Sequence, residues 1–304
     1  MSFDVKIKSN EIVSPFLSSI ENRKIKFDEL KLDPRRAVRT KVSRLSEDIV
    51  ACAEIILNYV DKLPEPGHPE VESTPLKNAF EKLCYVAAET FEAYEDLGQA
   101  FKFGKDAKRQ FDKTIKSHRR DWGLICNAIK HDMNELVPVF TRHLESKRYL
   151  HCFSLMRPLG DDKCAINMSL HSGSEQMRSY TVALRQLISD VVKCDRAAAI
   201  LWSTLPDTED APLSVPIVIL SGLLDAMTRV SRTEPRAYKR QSSMYDGFTI
   251  HSDYVSFGRM QAEIESGDIA VTSLQRGDGV VVTFPILGSD GETFTDGSFR
   301  RSVG

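Results

Sequence analysis

Apolar residues return every three or four positions through Val38, Val42, Leu45, Ile49, Ala53, Ile56, Val60 and Leu63, then stop at Pro64-Glu65-Pro66-Gly67. That period predicts a core-facing helix, opened by Asp33 as N-cap with Pro34 at the first helical position and closed by the proline-glycine break. Gly67 to Pro75 reads as a polar loop, after which a second helix restarts at Ser73 or Thr74. Its stripe is Phe80, Leu83, Cys84, Ala87, Phe91, Tyr94 and Leu97, and it runs to Gly98 or Gly104. A third helix from about Lys105 to Ser117 leads into a fourth from Arg119 to Leu136, with Trp122, Ile125, Cys126, Ile129, Met133 and Leu136 on its apolar side. Helices with such short links predict a bundle over residues 34–136. Residues 1–33 mix charge and short apolar pieces without a period and read as an arm or a packed extension.

Beyond Pro138 the pattern changes to short runs of strand formers, LVPVFTRHL, YLHCFSLM and KCAINMSL, with a turn at Pro158 to Asp162. A long helix is predicted over Ser174 to Trp202 and a second apolar one over Ile217 to Val230. The tail returns to strands in GFTIHSDYVSF, DIAVTSLQ and VVVTFPIL, the last two joined by the hairpin signal Arg276-Gly277-Asp278-Gly279. The expected class is α+β: an N-terminal helical bundle, then a mixed domain over 137–304 with antiparallel strands and two central helices.

With 304 residues, 41% hydrophobic and 28% charged, the chain can bury a substantial core. The start MSFDVKIKSN has no signal-like apolar run, and the longest apolar stretch, Val215 to Leu224, is broken by Pro216, Ser221 and Gly222. The expectation is a cytoplasmic protein with no membrane partner. Six cysteines without a C-x-x-C pair read as reduced, packed thiols.

A formal net charge of −2 leaves any polyanion argument to local patches. The clearest is Lys102 to His131, where nine cations stand against Asp106, Asp112 and Asp121, while Glu81 to Asp96 is acidic. Two readings follow: neighbouring helices pair these charges at the surface, or the cations form a phosphate-binding footprint. Phe103 and Phe111 are the only aromatic residues in the basic run between Lys102 and Arg120. A second basic cluster, Arg229, Arg232, Arg236, Lys239 and Arg240, reads as a solvated linker.

Helical advance of about 100° per residue puts Arg120, Asn127 and His131 within about 40° of one another, with Asn134 assigned to the same polar side. Cys126-Asn127-Ala128-Ile129-Lys130-His131 resembles the HEPN superfamily, helical bundles marked by an Arg, often followed by Asn, with a His four to six residues on. Here Asn127 and His131 match, and Cys126 stands where the Arg would be. The resemblance implies a bacterial, dimeric protein of a defence or toxin-type system that binds RNA or cleaves it without metal through the 2′-hydroxyl. Read as chemistry, neutral His131 would be the general base, with Lys130 or Arg120 stabilising the phosphorane charge. The other reading makes His131 a cation near a helix C-terminus, and the missing Arg suits a non-enzymatic module that docks a protein partner or a second copy. No cofactor is expected, and no metal. His151, Cys152, Cys164 and His171 match no zinc spacing, and nucleotide-binding, hydrolase and metalloprotease motifs are absent from the sequence.

Overall fold

A computed structural model describes residues 5–8, 11–21, 33–59, 62, 69–131, 134–142, 149–160, 163–167, 171, 177–206, 219–220, 222–231, 248–250, 254–257 and 260–264. In chain order these form β1 (Val5–Lys8), β2 (Glu11–Val13), α1 (Pro15–Glu21), α2 (Pro34–Tyr59), α3 (Pro69–Ala100), α4 (Lys105–His131), β3 (Glu135–Arg142), β4 (Tyr149–Gly160), β5 (Lys163–Ile166), β6 (Arg178–Ser179), α5 (Tyr180–Trp202), β7 (Ile219–Leu220), α6 (Leu223–Ser231), β8 (Phe248–Ile250), β9 (Tyr254–Phe257) and β10 (Met260–Ile264). The class is α+β. No helix among the described residues is long and apolar enough to cross a membrane.

The N-cap of α2 forms as its sequence predicts: Asp33 Oδ1 accepts from the Arg35 amide at 2.9 Å, and the Asp33 carbonyl takes the amides of Arg36 and Ala37. The Arg35 guanidinium then folds back on the same carboxylate and lies 5.6 Å from the Trp202 ring centroid, so a nearly buried cation is matched on both sides. The second helix starts earlier than expected. Of the segment predicted as a loop, residues 69–75 are instead the first turns of α3, which continues through Pro75, while Gly67 and His68 lie outside the described residues. The missing proline N–H removes one backbone bond there without ending the helix. Phe80, Leu83, Cys84, Ala87, Phe91, Tyr94 and Leu97 are buried as the stripe requires.

Two expected helices are one. Lys105 to His131 is a single 27-residue helix, and it ends before Leu136. The stop is Asn134, whose backbone N–H and side-chain amide both donate to the Ala128 carbonyl, at 3.0 and 3.3 Å. Asn134 is therefore buried and outside the helix rather than on its polar face, and its Oδ1 accepts from Asn167 at 2.9 Å. Leu136, which fits the helical period, is a buried residue of β3.

That strand belongs to a four-stranded antiparallel sheet, β3-β4-β5, with β6 paired to β4. The second sheet has the order β7-β2-β1-β10-β9-β8 and is antiparallel except for the β1–β10 pair. Residues 1–33 are thus in part a packed extension: β1 and β2 supply two of its strands, and Phe16, Leu17 and Ile20 of α1 are fully buried. Ser179 caps α5, which begins six residues later than predicted, and the described part of the segment predicted as one helix from Ile217 holds β7 and α6. Of the tail, β8, β9 and β10 are described, while the DIAVTSLQ and VVVTFPIL runs lie outside the described residues.

One hydrophobic core joins both sides of residue 136. Phe80 of α3 lies against Phe153 of β4 and Tyr180 of α5, with ring centroids 4.8 and 5.0 Å away, and Trp122 of α4 lies 6.4 Å away. Burial of these four aromatic rings at one junction fixes α4 against α3 and α5 and so determines which side of α4 faces outward.

Candidate functional site

The amphipathic pattern of α4 sorts its residues sharply. Phe111, Ile115, Trp122, Ile125, Cys126 and Ala128 are buried. Lys105, Arg109, Lys113, Lys116, Arg120, Asn127, Lys130 and His131 are exposed. At about 100° per residue, Lys105, Arg109, Lys113, Lys116, Arg120, Asn127 and His131 fall within about 80° of arc, opposite the buried side. Asp106 sits at the margin of this stripe. The structure therefore brings Arg120, Asn127 and His131 into one line, as expected, but along a single straight helix they are spread over about 16 Å of axis. They are aligned rather than convergent. Lys130 lies at the edge of the line, its ammonium 4.9 Å from the Tyr85 ring centroid.

Charge pairing divides the same helix. Arg119 donates to Glu92 at 3.1 Å and to Glu95, both on α3, and Lys108 pairs with Asp112 at 3.1 Å one turn on. The Arg119 pairs are the kind anticipated between the basic and acidic helices, whereas Lys108–Asp112 lies within α4. Lys105, Arg109, Lys113, Lys116 and Arg120 form no ion pair with any described residue. Five uncompensated cations along about 22 Å of helix make a linear positive potential that surface pairing does not cancel.

The opposite side of α4 carries a cluster that sequence reasoning missed. His118 Nδ1 lies 2.7 Å from Oδ1 of Asp190 on α5, which also accepts from Gln186 Nε2 at 2.6 Å, while Asp190 Oδ2 accepts from Trp122 Nε1 at 3.1 Å. Asp190 is buried and the His118 ring is 19% exposed. Burial pushes the Asp190 carboxyl above the usual carboxylate range, opposed by the bonds from His118, Trp122 and Gln186. A carboxylate on Nδ1 favours the imidazole tautomer that carries its proton on Nδ1. A second buried acid, Asp195, accepts from Ser14 Oγ, the Phe16 amide and Tyr94 Oη, and burial raises its pKa to about 6. The available signal was the placement of these carboxylates: Asp195 falls inside the apolar stripe of α5 and Asp190 at its edge, where an acid must be paired.

No protein family, curated protein or solved structure matches the chain. The HEPN resemblance accordingly rests on Asn127 and His131 alone.

The remaining candidates have other roles. His151 Nε2 bonds with the Lys62 carbonyl at 2.8 Å, and His171 Nε2 accepts from the Leu155 amide at 3.0 Å. Burial, with Arg178 nearby, lowers the His171 pKa to about 3. Arg229 of α6 contacts Glu54 and Asp225, while the other members of its cluster lie outside the described residues.

Proposed function

We propose that the protein binds RNA along the outward face of α4, through the phosphodiester backbone. The observation that carries this reading is the set of five exposed cations with no acidic partner among the described residues, lined up on one side of one helix. Surface cations without partners attract phosphate and release condensed counterions when they bind it, which makes affinity fall steeply with salt. Cleavage extends the same reading: His131 takes the 2′-hydroxyl proton, the 2′-oxygen attacks phosphorus, and the P–O5′ bond breaks to leave a 2′,3′-cyclic phosphate, the departing 5′-oxygen taking its proton from water. Because Arg120 is about 16 Å along the axis from His131, a site using both would draw one of them from a second copy. Binding needs no such assembly and is the simpler function of this surface.

The test is retention of total RNA in EDTA at low and moderate salt by the full chain and by a triple variant, Arg109→Glu, Lys113→Glu and Arg120→Glu. Salt-sensitive retention that the triple variant loses, with its circular dichroism and melting unchanged, is the expected result. Retention equal in both proteins, or none in either, rejects the reading. RNA cleaved in EDTA by the parent but not by His131→Ala would add the nuclease step.

A further inference from the structure

We infer that the RNA seated on α4 is double-stranded, an inference that rests on the RNA-binding reading above. Proteins that hold single strands combine a basic groove with aromatic side chains on which unstacked bases lie. Among the described residues the outward stripe of α4 carries no Phe, Tyr or Trp: Phe111 and Trp122 of α4 are buried, and Tyr85 belongs to α3, at the edge of the stripe against Lys130. Phe103, just ahead of the helix, is packed against Phe101 with ring centroids 6.0 Å apart. Long, flexible cations without a stacking platform recognise a backbone and leave base pairs intact, which suits a duplex.

Two further features fit an A-form duplex. Gly123 lies on the stripe side between Arg120 and Asn127, and a methyl group there would meet only the Arg119 stem, at 4.0 Å. Internal packing therefore does not require glycine, although glycine in a helix interior costs about 1 kcal/mol relative to alanine. Its absent side chain lets a phosphate backbone approach the helix closely, just past the last of the five cations. Beyond it, Asn127 and His131 continue the stripe with groups that donate and accept hydrogen bonds, about 6 Å apart along the axis. The wide, shallow minor groove of double-stranded RNA presents 2′-hydroxyls to such groups, and a DNA duplex does not.

Fluorescence anisotropy of the full chain with a labelled RNA duplex of about 20 base pairs, one of its strands alone, and the DNA duplex of the same sequence separates the possibilities. The RNA duplex should bind at least about tenfold more tightly than either competitor, and its affinity should fall by roughly two to three orders of magnitude between 50 and 200 mM salt, as expected for about five phosphate contacts. Gly123→Gln, which adds uncharged bulk at an open position, should weaken duplex binding by about tenfold while leaving the melting temperature unchanged or higher. Asn127→Ala with His131→Ala should erase the preference for RNA over DNA and leave the salt slope intact. Single-stranded RNA bound as tightly as the duplex overturns this inference and leaves RNA binding standing, and equal affinity for the DNA duplex overturns the 2′-hydroxyl contact. Failure of every RNA to bind in a salt-sensitive way removes the RNA-binding reading itself.

Discussion

The imidazole of His118 meets the buried carboxylate of Asp190 at 2.7 Å, and this contact ties α4 to α5 at a point where Trp122 and Gln186 also donate to the acid. Three donors on one carboxylate explain how a charge is held inside the α4–α5 junction. Asp190→Ala strands all three and should cost about 3 kcal/mol or more, whereas His118→Ala removes one donor and should cost about 1.5–3 kcal/mol. Urea titrations of both variants and the double variant give the coupling, which should be clearly non-zero. Nitrogen NMR should show neutral His118 protonated on Nδ1; a proton on Nε2 would exclude the arrangement.

Two buried groups set opposing pH dependences. The folded state lowers the His171 pKa from 6.5 to about 3, so only the unfolded chain takes up this proton as pH falls through that window, and stability declines by about 5 kcal/mol in total. Asp195 is shifted the other way, from 3.8 to about 6, so the folded chain takes up its proton first and gains about 3 kcal/mol as pH falls from 6 to 4. Between pH 6 and 4 the two slopes largely cancel. His171→Gln should therefore become more stable as pH is lowered through this window, and Asp195→Asn should lose stability more steeply than the parent. Melting temperatures at half-unit steps of pH check both, and parallel curves for all three proteins would contradict the assignment.

Periodicity made the interiors of the helices readable in advance, because Val38 to Ile56 and Phe80 to Leu97 are buried by the same spacing that predicts them. Ends were harder, since they depend on single polar contacts. Asn134 ends α4 through two bonds to one carbonyl, yet its spacing suits the polar side of a longer helix, and Leu136 suits that helix's apolar side. The outward line Arg120, Asn127 and His131 was readable from 3.6-residue geometry. Which cations of α4 are neutralised was not, because the pairing of Arg119 depends on which face of α3 adjoins α4. The His118–Asp190 contact joins residues 72 apart in sequence, and only packing brings them together.

Gly98 of α3 packs directly against the Phe111 ring of α4. A Cβ at this position would stand 2.7 Å from Phe111 Cε1, inside a buried contact. Alanine ordinarily strengthens a helix by about 1 kcal/mol over glycine, so the sign of Gly98→Ala tests the packing directly. Overpacking should win, with a net loss of about 1–3 kcal/mol. Gly98→Ala combined with Phe111→Leu should recover part of it. A stabilised single variant would show that α3 and α4 are not in contact through this pair.

Arg119 and Arg120 are adjacent in sequence but about 100° apart on α4, and only the first is neutralised. Arg119 engages Glu92 and Glu95 at the surface, so Arg119→Ala should cost no more than about 1 kcal/mol and leave the salt dependence of RNA binding unchanged. Arg120→Ala should leave stability unchanged and reduce the slope of log affinity against log salt by about 1, the loss of one phosphate contact. The comparison holds the protein's net charge change constant between the two variants, so a general electrostatic effect predicts equal slopes for both. Unequal slopes, with Arg120 the larger contributor, require the polyanion to lie on the outward stripe; equal slopes would mean that total charge, and not the line of unpaired cations, governs binding.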